Sequence, residues 1–76
     1  MTWARKFVDP IALKDGRTIA TLADARAVIG SLPETARRKE DWLYAGGLVQ
    51  EAATLNGPMK ITVAQLTRAL IAEGLI

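Results

Sequence analysis

Apolar residues follow two different rhythms along this chain. From Phe7 to Leu13 they alternate, with Phe7, Ile11 and Leu13 on one side and Val8, Pro10 and Ala12 on the other, the period of a strand. Lys14-Asp15-Gly16 comes next, then the short run Arg17-Thr18-Ile19-Ala20-Thr21. An Asp-Gly between two such runs predicts a hairpin. A three-residue loop sets Ile11 opposite Ile19, whereas a two-residue loop sets Ile19 opposite Ala12 and splits the large apolar residues between the faces. The three-residue loop is preferred, with Gly16 left-handed in a bulge. Pro10 has no N–H to donate, so the first strand is an edge there, or interrupted.

Beyond Thr21 the spacing becomes helical. Thr21 reads as an N-cap with Asp24 three residues on, and Leu22, Ala25, Ile29 and Leu32 mark a first helix over about 22–31. Gly30 and Pro33 end it, and Ser31 with Glu34 offers capping-box spacing for a short further turn. A second helix is predicted over about 39–55. Its stripe is Trp42, Ala45, Val49, Ala52 and Ala53, acidic Glu40 and Asp41 sit in its first turn, and Asn56-Gly57-Pro58 stops it. Gly46-Gly47 in its middle costs roughly 1 kcal/mol per glycine relative to alanine, which predicts a close approach by another helix. Thr62 and Gln65 form a capping box that opens a third helix over about 63–73, ended by Gly74. The apolar pair Leu75-Ile76 should then pack on the hairpin or on a partner. The pattern is ββααα: one small α+β domain over residues 1–76, its hairpin at about 6–21.

Composition narrows what such a domain can be. With 76 residues and no cysteine or histidine, the chain has neither disulfides nor the commonest metal ligands. A core this small usually gains from a partner subunit, so a homodimer is expected. The longest stretch without a charge, Trp42 to Gln50, is far short of the ~20 apolar residues of a membrane span. No signal-peptide core follows Arg5-Lys6, and the expected location is cytoplasmic.

Candidate chemistry is sparse. Ser31 is the only serine, and its neighbours spell a helix boundary. Glu40 and Asp41 are adjacent, so on a helix they do not face each other. No metal-binding spacing, phosphate-cradling loop or dinucleotide fingerprint is present. The expectation is a protein that is not an enzyme and uses no cofactor.

What remains is binding, to itself or to another protein. Trp3, Phe7, Gly46, Gly47, Leu75 and Ile76 are the candidate interface residues, because they are apolar or small and the core asks for extra burial. The alternative is a nucleic-acid-binding or transcription-accessory protein. Residues 1–39 hold eight basic and four acidic side chains, residues 40–76 two basic and four acidic, and Arg37-Arg38-Lys39 is the dense cluster. Those three residues are the candidate anion contacts, and the last two helices, joined by Asn56 to Ile61, could mimic a helix-turn-helix. A net charge of +2 is nevertheless a weak footprint for phosphate.

Several of these residues together suggest a family. Phe7-Val8-Asp9-Pro10-Ile11, Asp15-Gly16, Ala25, Leu32, Pro33, Trp42, Ala45, Ala53 and the closing run Gln65 to Gly74 resemble the short bacterial proteins grouped as domain of unknown function family 982. The resemblance covers nearly the whole chain, from Trp3 to Gly74, through motifs of modest specificity. The middle helix departs from the pattern, with Gly46-Gly47 where bulkier or sulfur-bearing residues are usual. The resemblance implies a hairpin packed with helices, and no activity, cofactor or binding residue.

Overall fold

A computed structural model describes residues 2–76. Two strands, β1 (Lys6–Ala12) and β2 (Thr18–Thr21), form an antiparallel hairpin, followed by four helices: α1 (Leu22–Ser31), α2 (Glu34–Arg37), α3 (Glu40–Thr54) and α4 (Met59–Ala72). The α+β architecture expected from the sequence is present, with α2 added as a single turn between the first two predicted helices.

The hairpin takes the three-residue loop. Ile11 pairs with Ile19 and Ala12 with Thr18, Leu13 N–H donates to Arg17 O at 2.8 Å, and Gly16 has φ +93°, a conformation that favours glycine. Asp15 accepts from the Arg17 backbone N–H and from its guanidinium. These bonds, the backbone one first, hold the Asp15 carboxyl below the usual carboxylate range, against the opposing effect of desolvation. Further along, the register shifts between the Lys6–Thr21 and Ile11–Ile19 pairs. Four residues of β1, Phe7 to Pro10, there stand opposite one of β2, so the strand is interrupted at its proline.

Thr21 caps α1 as expected, and with Asp24 it closes a capping box: Asp24 N–H donates to the Thr21 hydroxyl, and Thr21 N–H to the Asp24 carboxylate. Leu32, extended at ψ 149° before Pro33, ends the helix. The Ser31 hydroxyl does not open α2 as a cap; it donates to Val28 O and accepts from Arg17. At the other end of the chain, Gly74 is left-handed at φ +75°. Leu75 N–H donates to Leu70 O and Gly74 N–H to Ile71 O, the paired bonds of a Schellman turn. Lys14 N–H donates to Leu75 O, which settles the apolar tail against the hairpin loop.

The start of α4 corrects the sequence reading. The helix begins at Met59, one turn before the predicted capping box, with Pro58 as an N-cap that makes no side-chain bond. Thr62 is fully buried inside the helix, and its hydroxyl donates to Pro58 O at 2.7 Å. Gln65 is buried too, and its amide donates to Asp41 O on α3. Pro58 is extended at ψ 124°, just outside the helix, where its missing N–H leaves no helix bond unmade, and both polar side chains reach carbonyls of α3, Thr62 that of Leu48 and Gln65 that of Asp41.

One core joins these elements. Phe7, Leu13 and Ile19 of the hairpin meet Leu22, Ala25 and Val28 of α1, Trp42, Val49 and the alanines of α3, and Leu66 and Leu70 of α4. A strap made by residues 2–5 ties two helix ends together. Thr2 N–H donates to Ala53 O, Ala23 N–H to Trp3 O, and the Arg5 guanidinium to Ala52 O and Gly57 O at 3.0 and 2.9 Å. A cation on the open carbonyls of a helix C-terminus stabilises it through both the hydrogen bonds and the helix dipole. Arg5→Ala is therefore expected to lower the unfolding free energy by about 1–2 kcal/mol, read as a lower urea midpoint with an unchanged slope. An unchanged midpoint would show that the strap adds nothing.

Candidate functional site

The six candidate interface residues do not converge on one surface. Phe7 is buried in the core. Leu75 and Ile76 are half-buried at the hairpin loop. Trp3 and Gly46 share a groove of about 420 Å³ between α1 and α3, walled also by Arg26, Ile29, Gln50 and Thr54. Within it the Arg26 guanidinium lies over the Trp3 ring, 4.8 Å from its centroid, a cation–π contact. Gly47 lies on the exposed side of α3.

The glycine pair contradicts the expectation of a close helix crossing. A Cβ built on Gly46 or Gly47 would meet nothing within 4 Å. No element of this chain uses the room they leave, so their helix-propensity cost is not offset by packing within the molecule.

Arg37, Arg38 and Lys39 do stand together at the end of α2 and the start of α3, all exposed. Arg38 pairs with Glu34 at 2.7 Å and Lys39 with Glu73 at 2.9 Å. Arg37 alone of the three has no ion pair among the described residues. Thr62 on Leu48, Gln65 on Asp41 and Lys39 on Glu73 tie α4 to α3, and Thr62 and Gln65 are buried.

Two surfaces escaped the sequence reading. The first is the outer face of the α3–α4 hairpin. Here Tyr44 and Ile61 are exposed at 57 and 52 %, half-buried Leu48 lies beside them, and Leu43 and Gly47 flank them on α3. Helical spacing puts Glu40, Asp41 and Glu51 along the α3 side and Arg68 on the α4 side, with Asp41, Tyr44, Gln65 and Arg68 lining one shallow depression. The signal was present as apolar residues lying off the buried stripe of each helix. The second is a groove of about 540 Å³ between β1 and the first turns of α4.

Among the described residues, no group of three or more His, Cys, Asp or Glu side chains is placed to hold a metal ion. No helix among them is long and apolar enough to cross a membrane. No protein-family model, curated protein or solved structure matches the chain.

Proposed function

We propose that this protein is a non-catalytic interaction module that assembles with a second copy of itself through the outer face of α3 and α4. The observation that carries the reading is the layout of that face. Its centre is apolar, with Tyr44, Leu48 and Ile61, and its two borders differ in sign: Glu40 and Glu51 on α3, Arg68 on α4. A two-fold axis running along the helices brings the same patch to itself with its sides exchanged, and the acidic border of one copy then meets the basic border of the other. Gly47, with open space over it, lets a partner helix come close. A standard interface takes about 800 Å² from each partner, roughly a sixth of the 4747 Å² surface. The want of an activated nucleophile supports the non-catalytic part. Ser31, the only serine, is engaged by Val28 and Arg17, and no side chain beside it acts as a base.

Light scattering across a hundredfold dilution is the test. The expected mass is twice the 8.2 kDa chain, falling to one chain in Ile61→Glu, which places an unpaired charge at the centre of the contact. Ile61 is half exposed, so the variant should keep its helical circular dichroism. A wild-type monomer at every concentration refutes the assembly, as does a dimer untouched by Ile61→Glu.

A further inference from the structure

The groove between β1 and α4 lies apart from the α3–α4 outer face and has a different character. Its floor is apolar, made by Phe7, Met59 and Val63. One wall is the strand itself, whose only neighbour in the sheet is β2. The other edge of β1 has no partner strand. Leu13 N–H points to β2, and Pro10 stands in the irregular stretch between the Lys6 and Ile11 pairs, where its missing N–H costs no ladder bond. Val8, within the irregular stretch, is 97 % exposed.

The charge around this groove is one-sided. Arg5, Lys6 and Lys60 border it, and Asp9 is its one acid. Arg5 is held in place by the carbonyls of Ala52 and Gly57. Lys6 and Lys60 are exposed and make no ion pair among the described residues. The first turn of α4 opens here without a side-chain cap, and the helix dipole adds to the positive potential. Interfaces match opposite potentials.

We propose that this groove binds an extended acidic segment of a partner protein, in which apolar side chains alternate with Asp or Glu. The strand edge calls for an extended backbone, since β-addition supplies main-chain hydrogen bonds and leaves alternate side chains to pockets. The apolar side chains seat on Phe7, Met59 and Val63, and the carboxylates face Lys6 and Lys60. Two exposed lysines beside a strand favour a peptide over nucleic acid, which calls for a stripe of cations along its backbone.

The probe is a fluorescein-labelled peptide of alternating Val and Glu, followed by fluorescence anisotropy at low salt, with a Val-Lys peptide as control. Wild type is expected to bind the acidic peptide and not the basic one. Lys6→Glu/Lys60→Glu should weaken binding by about tenfold or more, because two attractive contacts become repulsive. Both lysines are exposed, so the melting temperature of that variant should hold, and Lys6→Ala/Lys60→Ala should give an intermediate loss. No acidic-peptide binding at roughly millimolar concentration, a weak level of affinity, overturns the proposal. So does binding that ignores the charge reversal, or an equal affinity for the basic peptide. A single-stranded oligonucleotide or an anionic lipid vesicle that binds through the same lysines while the acidic peptide does not would also overturn it. Repeating the titration in Ile61→Glu separates this site from self-association, because the groove is complete within one chain.

Discussion

Trp42→Ala is expected to lower the unfolding free energy by about 3–5 kcal/mol, the range for deleting a buried aromatic side chain. Trp42 is 2 % exposed and is the largest of the fully buried side chains. At about 0.05–0.15 kcal/mol per residue, a chain of 76 residues has a total of about 4–11 kcal/mol. The variant should therefore sit close to its unfolding midpoint in water, seen as lost helical circular dichroism and a shallow or absent urea transition. A second substitution sharpens the argument. The Trp42 indole N–H is buried with no acceptor among the described residues, and an unmet donor in the interior costs about 1–3 kcal/mol. Trp42→Phe removes that donor along with some volume, so it should lose much less than the alanine variant. If both variants unfolded at the wild-type urea concentration, the core would not be organised around this residue.

What could be read from the sequence divides by the range of the interaction. The hairpin register, Gly16 in its bulge, the Thr21–Asp24 capping box, the acidic first turn of α3 and the Gly74 stop are each set by residues within a few positions of one another. Turn and cap chemistry is local, so it is legible in order along the chain. The buried stripe of α3 was legible for a related reason, because helical spacing alone assigns Trp42, Ala45, Val49, Ala52 and Ala53 to one face.

The misread positions depend on partners far away. Thr62 and Gln65 have the residue types and spacing of a capping box, yet their polar groups serve a turn already formed and a carbonyl on α3, 24 residues distant in the case of Gln65. Nothing near Arg5 in sequence marks its role, because its hydrogen bonds to Ala52 and Gly57 span most of the chain. The candidate surfaces belong to the same class. Leu43, Tyr44 and Ile61 lie on different helices, and only the side-by-side pairing of α3 with α4 gathers them. The β1–α4 groove joins residues near 7 with residues near 60, a juxtaposition that neither period nor composition encodes.

Gly46→Ala/Gly47→Ala is expected to stabilise the folded chain by about 1–2 kcal/mol, since alanine is preferred over glycine inside a helix by up to ~1 kcal/mol at each site. Neither new methyl group meets an atom within 4 Å, so no overpacking opposes the gain. For a domain of this size each kilocalorie should raise the melting temperature by roughly 4–8 °C, a shift easily resolved by thermal circular dichroism. Destabilisation would mean that another part of the chain approaches α3 more closely than its geometry allows. The two glycines also separate by position: Gly46 borders the Trp3 groove, whereas Gly47 lies on the exposed side of α3. If a second copy packs on α3 and α4, the single variant Gly47→Ala should melt higher at low protein concentration yet dissociate more readily on dilution. The methyl group strengthens the helix while filling the space left for the partner backbone. Opposite signs in those two measurements would identify the glycine as serving assembly at a cost to the monomer. A variant that melts higher and associates as tightly as wild type would place the interface elsewhere on the molecule.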